Sequence, residues 1–482
     1  MSEDKKKKIP VIGVAMMVCV TVAGGGFGIE DLVGGVGPGV TMLVFCVLPF
    51  IWSLPFGLSS AELSAAYPEN GGMYVWAKNG LGEKCGFASG WAYTIAGFIE
   101  PATFAVLTTN YLQVMFELVG VKVTPIIFWL VCAVLIAIFA VINILGIKVI
   151  SNMATVITVL CFIPFIVMVI VALMHIENPV SMVTPFKPDD ISFLQAAGNG
   201  LLIGIWFNTG YETISTASGE IQHGEKVVPK GIILAIPIIS IMYMLWVVPA
   251  VGRLNEIIPG SWADWGTHTG GITFVQAGEI LGGAPLKWGF VAAGSLASMM
   301  ILCEYIMAYA HVMSSFSRKG SFFKIFSKES KKYGTPAAAI VILSIVSIGL
   351  CLWAAYSQGE ESPFQVFVEI ATAIYAIPII LMFIANIKMR IKEPDKKLAY
   401  KVKMPNKLYI AYLCIPIIIY VYSVLSDIAV SGIGVALGLT AIPGYIFFKK
   451  IYRKGEYWKE MVAENERFEK ELEAELEKEL SE

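Results

Sequence analysis

The chain is 482 residues long, 56% hydrophobic and only 15% charged, with a mean hydropathy of +0.71. Apolar runs recur along its whole length, which excludes a single soluble core and predicts an all-α polytopic membrane protein. A formal net charge of −2 gives no reason to expect a nucleic-acid partner, and the eight cysteines and four histidines lie singly, without metal-ligand spacing. No metal, cofactor or disulfide framework is expected, and no catalytic triad marks an enzyme.

The first span starts with a defect. After Lys5–Lys8, Ile9–Val22 is almost wholly apolar but too short to cross alone, since about 20 apolar residues are needed for a core of about 30 Å. The lysines resemble the start of a signal peptide, but no small-residue cleavage site follows. Gly24, Gly25 and Gly26 then favour a break, because glycine takes backbone angles that other residues resist. Phe27–Val36 supplies the remaining turns and carries Glu30 and Asp31. Unsatisfied backbone at membrane depth is tolerated only where it is buried in protein or lines a cavity. A glycine-broken helix with acids just past the break therefore reads as a mid-membrane binding site.

Twelve spans are expected, near residues 10–36, 39–62, 85–115, 124–146, 150–174, 193–221, 229–252, 286–314, 335–357, 364–387, 407–427 and 430–449. The sixth repeats the defect of the first: apolar Gly198–Phe207, then Asn208-Thr209-Gly210, then Tyr211-Glu212 and, at the end, Gly219-Glu220. Two interrupted helices five spans apart predict an inverted repeat, with residues 10–174 as one five-helix half and 193–387 as the other. Helices 11 and 12 (407–450) lie outside it, after which residues 451–482 form a charged tail with helical spacing; residues 1–9 precede the first span. Lysine and arginine concentrate in the connections after spans eight and ten, from Arg318 to Lys332 and from Lys388 to Lys403. By the positive-inside rule both termini are cytoplasmic, which suits a multi-pass protein of the cell membrane.

AGGGFGIEDLVGGVGPG, from Ala23, followed by PFIWSLPFGLSSAELSAAYPENGGMYVWAKNGLG, resembles the amino acid–polyamine–organocation transporter superfamily, in particular its plant-type polyamine uptake branch. Ala61-Glu62-Leu63, Pro68-Glu69-Asn70-Gly71-Gly72 and Tyr74-Val75-Trp76 carry the likeness in the second span and the loop after it. Glu212-Thr-Ile-Ser-Thr and Gly219-Glu220 carry it in the sixth. It covers about residues 10–390 and implies a LeuT-like five-plus-five inverted repeat that moves a small organic amine or amino acid. Some proton-driven members place a lysine in the fifth span, where this chain reads Val159-Leu160-Cys161-Phe162-Ile163-Pro164. A mechanism that depends on that lysine is therefore not expected here.

The chemistry rests on acids inside the membrane, each of which costs about 2.5–3.5 kcal/mol on insertion scales. Glu30, Asp31, Glu100, Glu212, Glu220 and Glu304 have no lysine or arginine at comparable depth in the sequence. The balancing charge must come from a substrate, a bound cation or protons. Glu100, mid-span before Pro101, and Glu304, deep in span eight, are read as substrate or proton groups. The resemblance adds that the polyamine branch keeps an acid like Glu304 there. Glu212 is read the same way, with helix capping as the competing role. Capping competes equally for Glu30. Asp31 reads as structural, Glu220 as a gate or structural pair, and Glu62 and Glu69 as gating or loop residues.

The expected substrate site comprises Gly24, Gly25, Gly26, Phe27, Glu30, Glu100, Trp206, Asn208, Tyr211, Glu212 and Glu304, with Glu100, Glu212 and Glu304 as proton-coupling groups. Phe27, Trp206, Phe207 and Tyr211, with Tyr93 on the third span, are placed for cation–π walls, although packing accounts for most aromatics in such a chain. A zwitterion would set its carboxylate on a half-helix N-terminus, where Glu30 and Glu212 would repel it. The leading expectation is thus a secondary transporter of small organic cations, polyamines such as putrescine first, working by alternating access with proton coupling. The alternative is a carrier or exchanger of amino acids, including cationic ones, with Glu30 turned away from the pocket. Lipid, protons and the amine are the expected partners.

Overall fold

The computed structural model describes residues 6–24, 29–118, 120–266, 271–357, 363–426, 428–450 and 463. The expected tail helix therefore lies, apart from Ala463, outside the described residues. Among those described there is no β-strand, only isolated bridges joining Lys7 to Ile221 and Trp265 to Ile272.

Helix α1 (Val11–Ala23) starts after Pro10, whose extended backbone cannot continue a helix toward the N-terminus. It stops at Gly24, which is left-handed at φ 45° and returns its N–H to the Val20 carbonyl. Thirteen residues reach about 20 Å, short of the bilayer core. Helix α2 (Glu30–Val36) resumes the span and ends at Gly37, φ 84°. Pro38–Ala66 then runs as one 29-residue span: α3 (Pro38–Leu48), a π turn (Pro49–Ser53) and α4 (Leu54–Ala66). Short α5 (Gly72–Leu81) leads into α6 (Glu83–Leu118), whose 36 residues are more than long enough to cross. Helices α7 (Pro125–Leu145) and α8 (Ile147–His175) complete the first half.

In the second half, α9 (Phe193–Phe207) ends where the sequence placed the break. A 3-10 turn (Thr213–Glu220) follows, so the sixth span is interrupted over 208–212. Then come α10 (Gly224–Ile257), α11 (Phe274–Arg318), α12 (Ala337–Tyr356) and α13 (Pro363–Lys392), and beyond the repeat α14 (Asn406–Ser426), α15 (Ile428–Leu439) and α16 (Ala441–Lys450). Helix α11 begins twelve residues earlier than expected and kinks at Gly283, φ 69°. Its start is fixed by Thr273, which caps the helix together with Gln276.

Eight helices among the described residues are long and apolar enough to cross a membrane, and three shorter apolar ones supply the first, sixth and eleventh expected spans. Helix α11 is the axis, with 78% of its most apolar stretch buried against 28% for α7 and 33% for α8. It packs on α1, α6, α7, α8, α12 and the 3-10 turn. On α7 the exposed residues Ile126, Leu130, Val134, Ile138, Val141 and Leu145 form a lipid-compatible stripe at helical spacing.

Candidate functional site

The two breaks meet in the middle of the molecule. Gly210, at φ 117°, lies so close to α1 that an added Cβ would be 3.3 Å from Thr21 and 3.6 Å from Val22. A broken helix leaves carbonyls without intrahelical partners. One residue of α10 serves both breaks: the Tyr243 hydroxyl is 2.9 Å from the Val22 carbonyl and 2.8 Å from that of Phe207. The π turn holds the rest of the second break. Trp52 donates to the Asn208 carbonyl at 3.0 Å and Ser53 to Asn208 Oδ1 at 2.9 Å, while Asn208 Nδ2 donates to Gly204 at 3.0 Å. Asn208 is thus committed to holding the break.

Just past it lies Glu212, with 0% of its surface exposed. Oε1 accepts from the Tyr375 hydroxyl of α13 at 2.8 Å, and Oε2 has no partner. Tyr375 opens a run of tyrosines: its ring centroid is 5.2 Å from Tyr93 of α6, which is 4.8 Å from Tyr309 of α11, which is 5.6 Å from Tyr305. Glu100 stands two turns beyond Tyr93 on α6. It is half-buried. Its charge reaches Tyr93, Tyr305, Tyr309 and Tyr420, so it faces inward, and no hydrogen bond or ion pair engages it among the described residues. Two carboxylates with unused oxygens beside one group of phenol rings make a setting suited to ammonium groups.

Glu304 lies apart. It is 1% exposed on α11, bonds through Oε2 to the Thr21 hydroxyl of α1, and leaves Oε1 without a partner. Glu30 is farther off and serves as an anchor. Its Oε1 accepts the Phe274 backbone N–H at 3.1 Å, tying α2 to the start of α11, where the helix dipole favours an anion. It acts electrostatically on Tyr111, eleven residues or about 16 Å along α6 from Glu100. The structure thus brings Glu100 and Glu212 together and does not bring Glu30 to them. Tyr211 is buried beside Phe56, with ring centroids 6.0 Å apart, and its hydroxyl has no partner. Gly24 abuts Ile301 of α11. Gly25, Gly26 and Phe27, and the side chain of Trp206, lie outside the described residues.

The end of the molecule that carries the N-terminal segment is closed by bonds. Lys7 N–H donates to Glu220 O at 2.7 Å, and Gln222 N–H donates to Lys7 O at 3.0 Å. Gly71 N–H donates to Thr216 O at 2.9 Å, and Gly219 N–H to Asn70 Oδ1 at 2.8 Å. His311 Nε2 lies 2.6 Å from Glu220 Oε1, and ion pairs join Glu69 to Lys319 at 2.7 Å and Glu62 to Arg390 at 2.7 Å. The sixth span's second half is therefore pinned to the loop after the second span. Sequence reasoning missed Tyr243, Tyr305, Tyr309 and Tyr375, for which periodicity offers no signal.

A family model described as "Amino acid permease" matches residues 9–444. Among curated proteins, "Polyamine transporter PUT1" of Oryza sativa subsp. japonica is 29% identical over 92% of this chain and 79% of its own length. The "Probable agmatine/putrescine antiporter AguD" of Lactococcus lactis is 23% identical over 79% of each. Among solved structures, MhsT in complex with L-phenylalanine superposes with a TM-score of 0.63 at 15% identity, covering 87% of this chain and 99% of that one. That likeness establishes the broken-helix, inverted-repeat fold.

Proposed function

The chain belongs to the amino acid permease family, and on that premise we propose that it is a secondary transporter of small organic cations, polyamines such as putrescine first. The observation that carries the reading is that Glu100 and Glu212 act on the same tyrosines, Tyr93 and Tyr305, with unused oxygens and no lysine or arginine paired to either among the described residues, which we read as one tyrosine-walled cavity. A diamine supplies two positive charges and no carboxylate, so it satisfies both acids. The rings of Tyr93, Tyr305, Tyr309 and Tyr375 offer π faces to its ammonium groups, worth about 0.5–2 kcal/mol each. The names of the curated relatives support the same class. Closure at the N-terminal end, with the two broken helices facing the cavity, supports alternating access around a fixed site. Lys319 and Arg390 lie at that same end as Lys7, which supports a plasma-membrane topology with that end in the cytoplasm.

One observation favours the second reading, a carrier of amino acids. That reading requires Glu30 to be turned away from the pocket, and Glu30 is held on Phe274. Thermal-shift measurements on the purified chain separate the two, because a ligand of the native state raises stability by about 2.7 kcal/mol at 100 times its Kd. Putrescine and spermidine stabilise under the first reading. A shift with leucine or arginine and none with putrescine establishes the second.

A further inference from the structure

We propose that the acidic segment 464–482 docks on a basic face at the ends of α11 and α13 and ties those two helix ends together. The docking stands on charge, spacing and placement; its effect on transport rests on the transporter reading above. Residues 464–482 hold nine glutamates against Arg467, Lys470 and Lys478, a formal charge of −6. The acids follow a pattern. Phe468, Leu472, Leu476 and Leu480 recur every four residues, the spacing of one helix side. Glu471, Glu475 and Glu479 each precede a leucine of that stripe, while Glu469, Glu473 and Glu477 each follow one of its members. An apolar stripe with an acidic rail on either side is complementary to an apolar strip flanked by bases.

The folded part presents such a surface. Residues 318–332 hold six lysines and arginines against Glu329, and residues 388–403 hold seven against Glu393 and Asp395. Both stretches border the loop after α4: Lys319 pairs with Glu69 at 2.7 Å, and Lys396 Nζ is 5.1 Å from the Tyr67 ring centroid. In the first stretch Phe323 and Ile325 are exposed, with Lys324 and Lys328 exposed beside them. In the second, Lys392, Lys397 and Lys403 are exposed. The root of the acidic segment lies at the same place. The Phe448 ring of α16 is 4.9 Å from Phe323, and α16 ends two residues later at Lys450. The stretch from 451 to 463 spans at most about 45 Å, which keeps the glutamates at this end of the molecule.

Other partners suit the segment less. A helix that lies on an anionic leaflet carries lysine and arginine beside its apolar stripe, and glutamates there are repelled. Two copies of the segment would set acidic rail against acidic rail. Exposed ion pairs are weak singly, but tethering makes the docking intramolecular, at an effective concentration on the order of millimolar. Helix α11 carries Tyr305 and Tyr309, and α13 carries Tyr375. Tying their ends together, at the end already held by Lys7, Glu69 and Glu220, restrains opening there and slows transport. High salt screens the contact and releases the restraint.

A carbodiimide, which joins a carboxylate to an amine in direct contact, reads the docking in full-length protein in phosphatidylcholine vesicles. Mass spectrometry should find glutamates of 464–482 joined to lysines of 324–332 and 392–403. In a mixture of isotope-labelled and unlabelled protein the links should fall within one molecule, and high salt should remove them. Leu472→Gln with Leu476→Gln keeps every carboxylate and amine and should cut the links several-fold. No links, links between molecules only, or links indifferent to that double variant overturn the docking. Links that vanish when phosphatidylserine is added also overturn it and give the basic face to lipid. The same double variant should take up putrescine several-fold faster than wild type; links cut with uptake unchanged overturn the restraint. Wild-type protein that moves no putrescine while the links behave as stated overturns the substrate reading and leaves the docked segment in place.

Discussion

Replacing Glu100 by glutamine removes one negative charge from the cavity and changes almost no volume. Nothing in the fold leans on this carboxylate, because no hydrogen bond or ion pair engages it among the described residues. The variant should therefore fold, with unchanged or slightly raised thermal stability. Substrate binding is different. Removing one member of a desolvated charge pair costs about 2–5 kcal/mol, and each 1.4 kcal/mol is a factor of ten in Kd. Because Glu100 keeps part of its surface accessible, solvent screening places the expected loss near the lower bound, about 30- to 100-fold for putrescine. A neutral amino acid, if bound at all, should lose less than about 3-fold, since it lacks the second ammonium that Glu100 would meet. Isothermal titration of wild-type and variant protein in the same detergent reads both numbers. Equal losses for the dication and the neutral ligand in a folded variant would refute the assignment and make Glu100 a structural residue.

Other perturbations test the frame around the cavity. Arg390→Met leaves Glu62, 0% exposed, without its 2.7 Å partner and should destabilise by about 3–5 kcal/mol, while adding Glu62→Leu should restore most of the loss in a thermal-unfolding series. An added Cβ at Gly97 would lie 2.8 Å from the Tyr309 ring, so Gly97→Val should cost about 1–3 kcal/mol and lower putrescine affinity by tilting that ring. Tyr243→Phe removes the hydroxyl whose single hydrogen lies within reach of both the Val22 and Phe207 carbonyls. It should cost about 1–3 kcal/mol and speed hydrogen exchange at both breaks together; exchange faster at only one break would contradict the shared role.

The broken helices were legible because their causes are local. Gly24 takes the left-handed angle that ends α1, and α9 stops at Phe207, immediately before Asn208-Thr209-Gly210. The start of α11 was legible too, in the Thr273–Gln276 capping pair, but the apolar pattern alone put it near residue 286. The make-up of the site was not local. Tyr375 meets Glu212 across 163 residues and Phe274 meets Glu30 across 244, and no periodicity encodes such a pairing. Glu30 shows the consequence. An acid just past a break fits a substrate site and a helix anchor equally, and the choice depends on which helix N-terminus the fold delivers to it. Tyrosine number defeats selection as well: nineteen occur in the chain, and only tertiary packing gathers Tyr93, Tyr305, Tyr309 and Tyr375.

The central claim is that the cavity of Glu100 and Glu212 carries a cationic amine across the membrane. Uptake of radiolabelled putrescine by proteoliposomes, with unlabelled putrescine, arginine or leucine as competitor, tests it most directly. The account predicts saturable uptake that is absent from protein-free vesicles, suppressed by unlabelled putrescine, little affected by leucine, and sharply reduced in Glu100→Gln and Glu212→Gln. Uptake of leucine or arginine with none of putrescine would contradict it, as would putrescine uptake that both variants leave intact.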